Sequence, residues 1–217
     1  AQSAAVCLLF SFANPEHENA LGAGLRSAGL PVSLSSEILP EFREYERAST
    51  TAVNAYVAPI LDAYLGKLES ATREKGSARS VRIMQSNGGT MRLQEARKHG
   101  VRCILSGPAG GVVGAQLAAQ LAAQAAGQNG PLRLITFDMG GTSTDVALID
   151  AQPRITSESL VGGCPIRIPV IDIHTIGAGG GSIARVDAGG ALRVGPESAG
   201  ADPGPACYGR AGSEALA

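Results

Sequence analysis

Asp138-Met139-Gly140-Gly141-Thr142-Ser143-Thr144-Asp145 lies between two short apolar runs of the 217-residue sequence. Residues 132–137 form the first run and residues 145–149 the second, and each has the length of a single strand. Two adjacent glycines between such runs favour a tight turn. The segment therefore predicts a strand, a glycine-rich turn and a returning strand, with an aspartate at each end of the turn.

The residues of this turn suit a phosphate group. Glycine lets backbone N–H groups approach an anion with no Cβ in the way, and hydroxyl groups add further donors. The candidate phosphate ligands are Gly140, Gly141, Thr142, Ser143 and Thr144. Asp138 and Asp145 repel phosphate, so the pattern assigns them to a divalent cation, or to its waters, that bridges to the phosphates. Both are candidate catalytic residues, and Asp145 has the alternative role of orienting an attacking water or substrate group.

A second glycine-rich loop, Gly177-Ala178-Gly179-Gly180-Gly181-Ser182, follows another apolar run. It resembles a dinucleotide-binding turn, but Ser182 occupies the third glycine position and the next residues alternate as a strand rather than a helix. No Gly-x-x-x-x-Gly-Lys-Ser/Thr segment occurs, which excludes a P-loop. The loop is therefore predicted to be a second backbone cradle, for phosphate or adenosine. Its candidate ligands are Gly177, Gly179, Gly180, Gly181 and Ser182.

Asp172 and His174 form a possible metal pair just before this loop. Residues two apart on a strand point to the same face, so one cation could bind both side chains. A structural histidine that is hydrogen-bonded to backbone explains the same pattern equally well. The metal candidates are accordingly Asp138, Asp145, Asp172 and His174.

The remaining pattern predicts an α/β protein. Apolar runs at residues 5–10 and 32–34 flank a helix over residues 14–27, which is the unit of a parallel sheet. Residues 41–47 are a mixed charge run and are expected to be solvated. A helix is predicted over residues 106–127, a strand over 169–176, and a hairpin from 182–186 and 191–194. The Gln-Asn-Gly-Pro segment at 128–131 predicts a domain boundary, which divides the chain into 1–130 and 131–217.

Composition narrows the class of partner. The net charge is −1 and aromatic residues make up 4%, so neither nucleic acid nor an anionic membrane surface is an expected partner. No apolar stretch approaches the about 18 residues that cross a bilayer. Four cysteines without metal-type spacing predict reduced thiols and a cytoplasmic location.

Five segments together resemble the hydantoinase A / 5-oxoprolinase family, within the superfamily of actin, sugar kinases and chaperone ATPases. They are residues 34–41, 106–111, 138–145, 172–182 and 201–209. The resemblance implies a ribonuclease-H-like actin/sugar-kinase ATPase fold. In that fold, residues 106–127 are the helix that connects the two lobes, and the turn at Asp138 belongs to the second phosphate motif.

The same resemblance implies the chemistry. ATP, with Mg2+ or another divalent cation, activates a cyclic amide such as a hydantoin or 5-oxoproline, and water opens the ring through a phosphorylated intermediate. The family also implies a second hydantoinase-type subunit or domain as partner. The alternatives are an ATP-binding subunit of an acetone-type carboxylase and a non-catalytic nucleotide-binding fragment.

Only one Asp-x-Gly-Gly-Thr motif occurs here, whereas family members carry another in an amino-terminal lobe. The chain is therefore expected to be an interior fragment, with the end of the first lobe and the start of the second. We expect such a fragment to be inactive by itself.

Overall fold

The computed structural model describes residues 1–74, 81–202, 204–205 and 209. Its α-helices are α1 Glu16–Ser27, α2 Ser35–Ile38, α3 Glu44–Glu74, α4 Leu93–Lys98 and α5 Ser106–Ala125. Its strands are β1 Ala4–Val6, β2 Val32–Leu34, β3 Arg82–Met84, β4 Thr90–Arg92, β5 Arg133–Met139, β6 Thr144–Asp150, β7 Gln152–Pro153, β8 Ile155–Thr156, β9 Ser159–Val161, β10 Cys164–Ile166, β11 Val170–Ile171, β12 Ile173–Ile176, β13 Ser182–Val186 and β14 Leu192–Ser198. The protein is mixed α/β, as predicted.

The chain forms two compact units. Unit 1 contains Ala1–Gly110 together with Ile155–Ile171, and unit 2 contains Gly111–Arg154 together with the chain from Asp172 onward. The division of the chain at residue 130 into 1–130 and 131–217 stays a prediction.

Unit 1 begins with the predicted strand–helix–strand segment. Strands β1 and β2 pair in parallel, with Ala4 opposite Val32, and α1 connects them. The first strand is shorter than the apolar run predicted, because the chain turns after Leu8 and Phe10 adopts a positive φ of 57°. The amides of Ala13 and Asn14 both donate to the Phe10 carbonyl, at 2.9 and 3.0 Å. The run at residues 5–10 therefore ends as a turn rather than as strand.

A buried carboxylate on α1 holds this turn. Glu18 accepts hydrogen bonds from the Leu8 amide at 2.8 Å, the Ser35 hydroxyl at 2.6 Å and the Ser36 amide at 2.9 Å. Burial by itself raises the pKa of Glu18, but the hydrogen bonds from Ser35, Ser36 and Leu8 outweigh it and leave that pKa below its ordinary value. Glu18 thus ties together the segments that follow β1 and β2.

Arg47 overturns the expectation that residues 41–47 are a solvated charge run. Helix α3 starts at Glu44, and Arg47 is fully buried. Its guanidinium donates to the Leu8 carbonyl at 2.8 Å and to the Glu41 carbonyl at 3.1 Å, and it lies 5.4 Å from the Phe12 ring centroid. The charge is buried because backbone carbonyls and an aromatic face replace water around it.

The core of unit 1 packs around α3 and the returning segment at 155–171. One apolar cluster consists of Ile38, Val101, Ile166, Ile168 and Val170, and another of Leu65, Met91, Leu93 and Ala96. Asn54 on α3 donates to the Ser33 hydroxyl and the Lys98 carbonyl, and accepts from the Val101 amide at 3.0 Å. The strand predicted over 169–176 is split, since β11 pairs with β8 in unit 1 whereas β12 pairs with β6 in unit 2.

Unit 2 contains a sheet in the order β12–β6–β5, with β7 beside β6. All of these pairs are antiparallel. The predicted strand–turn–strand segment is the β5–β6 pair, and the predicted hairpin is β13–β14. Helix α5 occupies Ser106–Ala125, close to the predicted bounds of 106–127.

The two faces of the β5–β6 hairpin differ in burial. Thr136, Ala147 and Ile149 share one face and are buried, whereas Ile135 and Phe137 on the other face are exposed. Thr136 lies opposite Ala147, and its hydroxyl both donates to the Ala147 carbonyl at 3.3 Å and accepts from the Ala147 amide at 3.2 Å. A polar side chain therefore reinforces the ladder on the buried face.

Across the described ranges, no helix has both the length and the apolar character needed to span a membrane.

Replacing Glu18 with glutamine should destabilise unit 1 by about 2–3 kcal/mol, because hydrogen bonds to a charge are lost and an amide NH2 then faces other donors. Urea unfolding at pH 7 measures this. The exposed Glu16, also in the first turn of α1, provides the matched variant Glu16→Gln, which should change stability by under about 0.5 kcal/mol. Equal effects of the two variants would contradict this role of Glu18.

The stabilisation that Glu18 contributes depends on pH. Because the pKa is lower in the folded state than its ordinary value of 4.5, the stabilisation is present above that value and is lost as pH falls through the folded pKa. The difference between wild type and Glu18→Gln should therefore shrink on acidification.

Candidate functional site

Asp138 and Asp145 are direct cross-strand partners. Asp138 is near the end of β5 and Asp145 near the start of β6, and the register places the two opposite each other. Opposed residues of an antiparallel pair share a face, with Cβ atoms about 4.5–5.5 Å apart. Like charges in this arrangement repel each other. The sheet therefore holds the two carboxylates together at an electrostatic cost.

No cation of the described residues offsets that repulsion. The ion pair on this hairpin joins Arg133 and Asp150, at the opposite end of the strands, and neither Asp138 nor Asp145 has an ion-pair partner within the described part of the chain. A carboxylate pair without a protein cation fits a divalent metal ion.

Two neighbours shape the space around the pair. The Thr175 hydroxyl on β12 donates to Asp145 Oδ1 at 2.6 Å. On α5, Gly111 lies so close to Asp138 that a Cβ added there would be 3.4 Å from Asp138 Oδ2. A side chain at position 111 would therefore be in van der Waals contact with that oxygen.

The turn between the two aspartates presents free backbone donors. The Gly140 amide donates to the Ser143 carbonyl at 2.9 Å, which closes the turn. The next three amides, of Gly141, Thr142 and Ser143, donate to no acceptor among the residues that the structure describes. Consecutive N–H groups without a protein acceptor are candidate donors to an anion. The turn can therefore bind phosphate oxygens through its backbone.

The second glycine-rich loop docks onto this turn. The Gly180 amide donates to the Gly140 carbonyl at 3.0 Å, and the Gly181 amide to the Gly141 carbonyl at 2.7 Å. A Cβ at Gly179 would lie 2.5 Å from the Gly140 carbonyl oxygen. Glycine is needed at 179 because the two backbones approach each other closely.

Two predicted phosphate ligands also have protein partners. The Thr144 hydroxyl donates to the Ala178 carbonyl at 2.7 Å, and the Ser182 hydroxyl accepts from the Gly179 amide at 2.8 Å. Both residues are buried. In this conformation the amides of Gly179, Gly180 and Gly181 are engaged within the protein, so the loop supports the turn at Asp138 instead of presenting those donors as a second cradle.

The pair Asp172 and His174 lies apart from the two central carboxylates. His174 is opposite Val146 in the register, and Thr175 is opposite Asp145, so the His174 side chain projects from the other face of the sheet. Both Asp172 and His174 are exposed, and no group of three or more His, Cys, Asp or Glu residues in the described ranges could hold a metal ion. A cation at Asp138 and Asp145 would accordingly complete its shell with waters and phosphate oxygens, which suits Mg2+.

Thr175 is the site residue that the sequence analysis missed. Thr175 lies within the family-like segment 172–182, but its contact with Asp145 depends on the pairing of β12 with β6. The segment alone does not distinguish its role from that of another strand threonine.

The sequence model of the hydantoinase/oxoprolinase family matches residues 47–217. The chain belongs to this family. The match covers both glycine-rich loops, the carboxylate pair and Thr175.

Curated relatives agree with the family. The chain is 41% identical to caprolactamase subunit alpha of Pseudomonas jessenii over 98% of its own length and 30% of that protein. It is 39% identical to 5-oxoprolinase of Saccharomyces cerevisiae, over 97% of its own length and 16% of that protein. The chain thus spans under a third of the length of these relatives.

Two solved structures are similar in fold to this chain. The ATP-dependent caprolactamase from Pseudomonas jessenii superposes with a TM-score of 0.81 at 39% identity, covering 100% of this chain and 31% of that one. A nucleotide-free acetone carboxylase superposes with a TM-score of 0.73 at 32% identity, covering 92% of this chain and 28% of that one.

Substituting alanine for Gly179 should displace the turn at Gly140 and destabilise unit 2 by about 1–3 kcal/mol, because a Cβ has no room between the two backbones. Gly177→Ala is the matched variant in the same loop, since a Cβ there meets nothing within 4 Å. Thermal unfolding of both variants measures the difference. A Gly179→Ala protein as stable as Gly177→Ala would show that the close approach is not required.

Proposed function

We propose that this chain supplies the phosphate- and cation-binding hairpin of an enzyme that hydrolyses a cyclic amide with ATP. The observation that carries the proposal is the opposed pair Asp138 and Asp145, without a protein cation, beside the free amides of Gly141, Thr142 and Ser143. The named activities of the caprolactamase and 5-oxoprolinase relatives supply the class of substrate.

Each group has a defined role in this proposal. The amides of Gly141, Thr142 and Ser143 donate to phosphate oxygens of ATP, and the hydroxyls of Thr142 and Ser143 add further donors. Asp138 and Asp145 would hold Mg2+, directly or through its waters. A cation held there would supply charge neutralisation for the phosphates. The metal pair Asp172 and His174 stays a prediction, without a third protein ligand among the described residues.

The reaction needs ATP because an amide carbonyl is a poor electrophile. Transfer of the γ-phosphoryl group from ATP to the amide oxygen releases ADP and makes the carbonyl carbon more electrophilic. One water adds to that carbon, and the C–N bond of the ring breaks as the nitrogen takes up a proton, which leaves an acyl phosphate. A second water then hydrolyses the acyl phosphate to the carboxylate and inorganic phosphate. In this proposal Asp145 either binds the cation or orients the water, and its carboxylate accepts a hydrogen bond from the Thr175 hydroxyl.

The setting of this site is also part of the proposal. The proposal takes the fold to be that of an actin-like ATPase, in which residues 1–130 are the end of one lobe and residues 131–217 the start of the next. The partner of the chain is a second hydantoinase-type subunit or domain. The location of the chain is cytoplasmic. The name of the Pseudomonas jessenii relative, a subunit alpha, supports an assembly of unlike subunits.

A second candidate function is ATP-dependent carboxylation of a ketone. The similarity to acetone carboxylase, at 32% identity, favours it. Both functions would use the same hairpin to bind phosphate and cation, and they would differ in the acceptor that is activated. Full-length protein with its partner subunit should distinguish them. Lactam-dependent phosphate release without bicarbonate supports the hydrolase, whereas release that needs both a ketone and bicarbonate supports the carboxylase.

Asp138→Asn and Asp145→Asn should each lower lactam-dependent ATP hydrolysis by roughly 100-fold or more, because a neutral amide binds a divalent cation poorly. Asp150→Asn is the matched control, since Asp150 is an exposed residue of β6 whose partner is Arg133. That surface pair contributes only about 0–1 kcal/mol, so activity should stay within about twofold of wild type. Wild-type rates in both site variants would exclude this hairpin from the reaction.

A further inference from the structure

We infer that Thr175 is a positioning residue, which fixes the orientation of the Asp145 carboxylate for cation binding. The inference rests on the proposed function, and it assigns a role to a residue that is not among the predicted phosphate donors or metal ligands. The observation behind it is the 2.6 Å hydrogen bond from the Thr175 hydroxyl to Asp145 Oδ1.

The register of three strands creates this contact. Thr175 on β12, Asp145 on β6 and Asp138 on β5 are consecutive cross-strand partners, so their side chains form a row across one face of the sheet. Asp145 is the middle member of the row. It has a hydroxyl donor on one side and a like charge on the other.

The hydrogen bond makes the two oxygens of the Asp145 carboxylate different. Oδ1 accepts from Thr175, whereas Oδ2 has no hydrogen-bond partner within the part of the chain that the structure describes. A carboxylate that is bonded through one oxygen is restrained about its side-chain torsions and presents the other oxygen in a fixed direction. Threonine suits the task because branching at Cβ restricts its own χ1 rotation.

Repulsion from Asp138 makes such a restraint necessary. Without a donor on β12, the Asp145 side chain is free to rotate away from Asp138 and into water, which separates the two charges. Binding a cation would then require the carboxylate to be reoriented each time. Residues that orient a metal ligand in this way typically change affinity about 10–100-fold when they are removed.

Thr175 is expected to contribute little to the stability of the fold. Its side chain is exposed, and β12 is already held by its ladder with β6, from Ile173 to Ile176. A hydrogen bond that water can replace adds only about 0.5–1.5 kcal/mol to folding. Loss of the hydroxyl should therefore affect the cation site more than the fold.

The test measures cation binding directly in the full-length protein with its partner subunit. Mg2+ is titrated by calorimetry in the presence of a non-hydrolysable ATP analogue, and Mn2+ binding is followed by electron paramagnetic resonance. Thr175→Val keeps the shape of the side chain but removes the hydroxyl, and Thr175→Ser keeps the hydroxyl. Thr156→Val is the control, since Thr156 is a half-buried strand threonine of unit 1 whose hydroxyl, among the described residues, bonds to the backbone of Glu158.

We expect Thr175→Val to weaken Mg2+ binding about 10-fold or more, and Thr175→Ser and Thr156→Val to stay within about threefold of wild type. The unfolding temperature in EDTA should be nearly the same for all four proteins. Normal Mg2+ affinity in Thr175→Val, or weak binding in Thr175→Ser as well, would overturn the role of Thr175. If wild type itself binds no divalent cation, the proposed function fails too, so the two failures are distinguishable.

Discussion

The pairing of β5 with β6 sets Asp138 opposite Asp145, and the candidate site depends on this pairing. Unit charges about 4 Å apart repel by roughly 4 kcal/mol near a protein surface and by about 1 kcal/mol in bulk water. The β5–β6 ladder opposes this repulsion, and Asp138 stays exposed. A protein that holds two charges together in this way binds a cation more tightly, because the cation relieves a repulsion that folding has already imposed.

The backbone of the second glycine-rich loop gives this arrangement its rigidity. Amides of Gly180 and Gly181 reach carbonyls of the turn, and the close approach at Gly179 excludes any side chain. The carbonyl groups of the turn are thereby engaged, while its amide groups point elsewhere. The second glycine-rich loop thus supports the turn at Asp138, whose amides are the candidate phosphate donors. Two segments of similar sequence therefore have different roles.

Elements set by local patterns were predictable from the sequence, whereas contacts between distant segments were not. Helix α5 and the two hairpins follow from periodicity and turn residues, and the structure has them close to the predicted bounds. Arg47 was misjudged because its acceptor, the Leu8 carbonyl, lies 39 residues away. The amides of Gly180 and Gly181 and the hydroxyl of Thr175 likewise bond to segments that are distant in sequence, which no window of neighbouring residues contains.

The hydroxyl of Thr136 has a consequence for folding accuracy. One face of the β5–β6 hairpin is buried and the other is exposed, so a pairing shifted by one residue would move Ala147 and Ile149 away from the buried face. The two hydrogen bonds between Thr136 and the backbone of Ala147 add to the preference for the native pairing. A shifted hairpin would turn Asp145 to the side of Phe137, away from Asp138. The pairing that buries Ala147 and bonds it to Thr136 is therefore the same pairing that brings the two acids to one face.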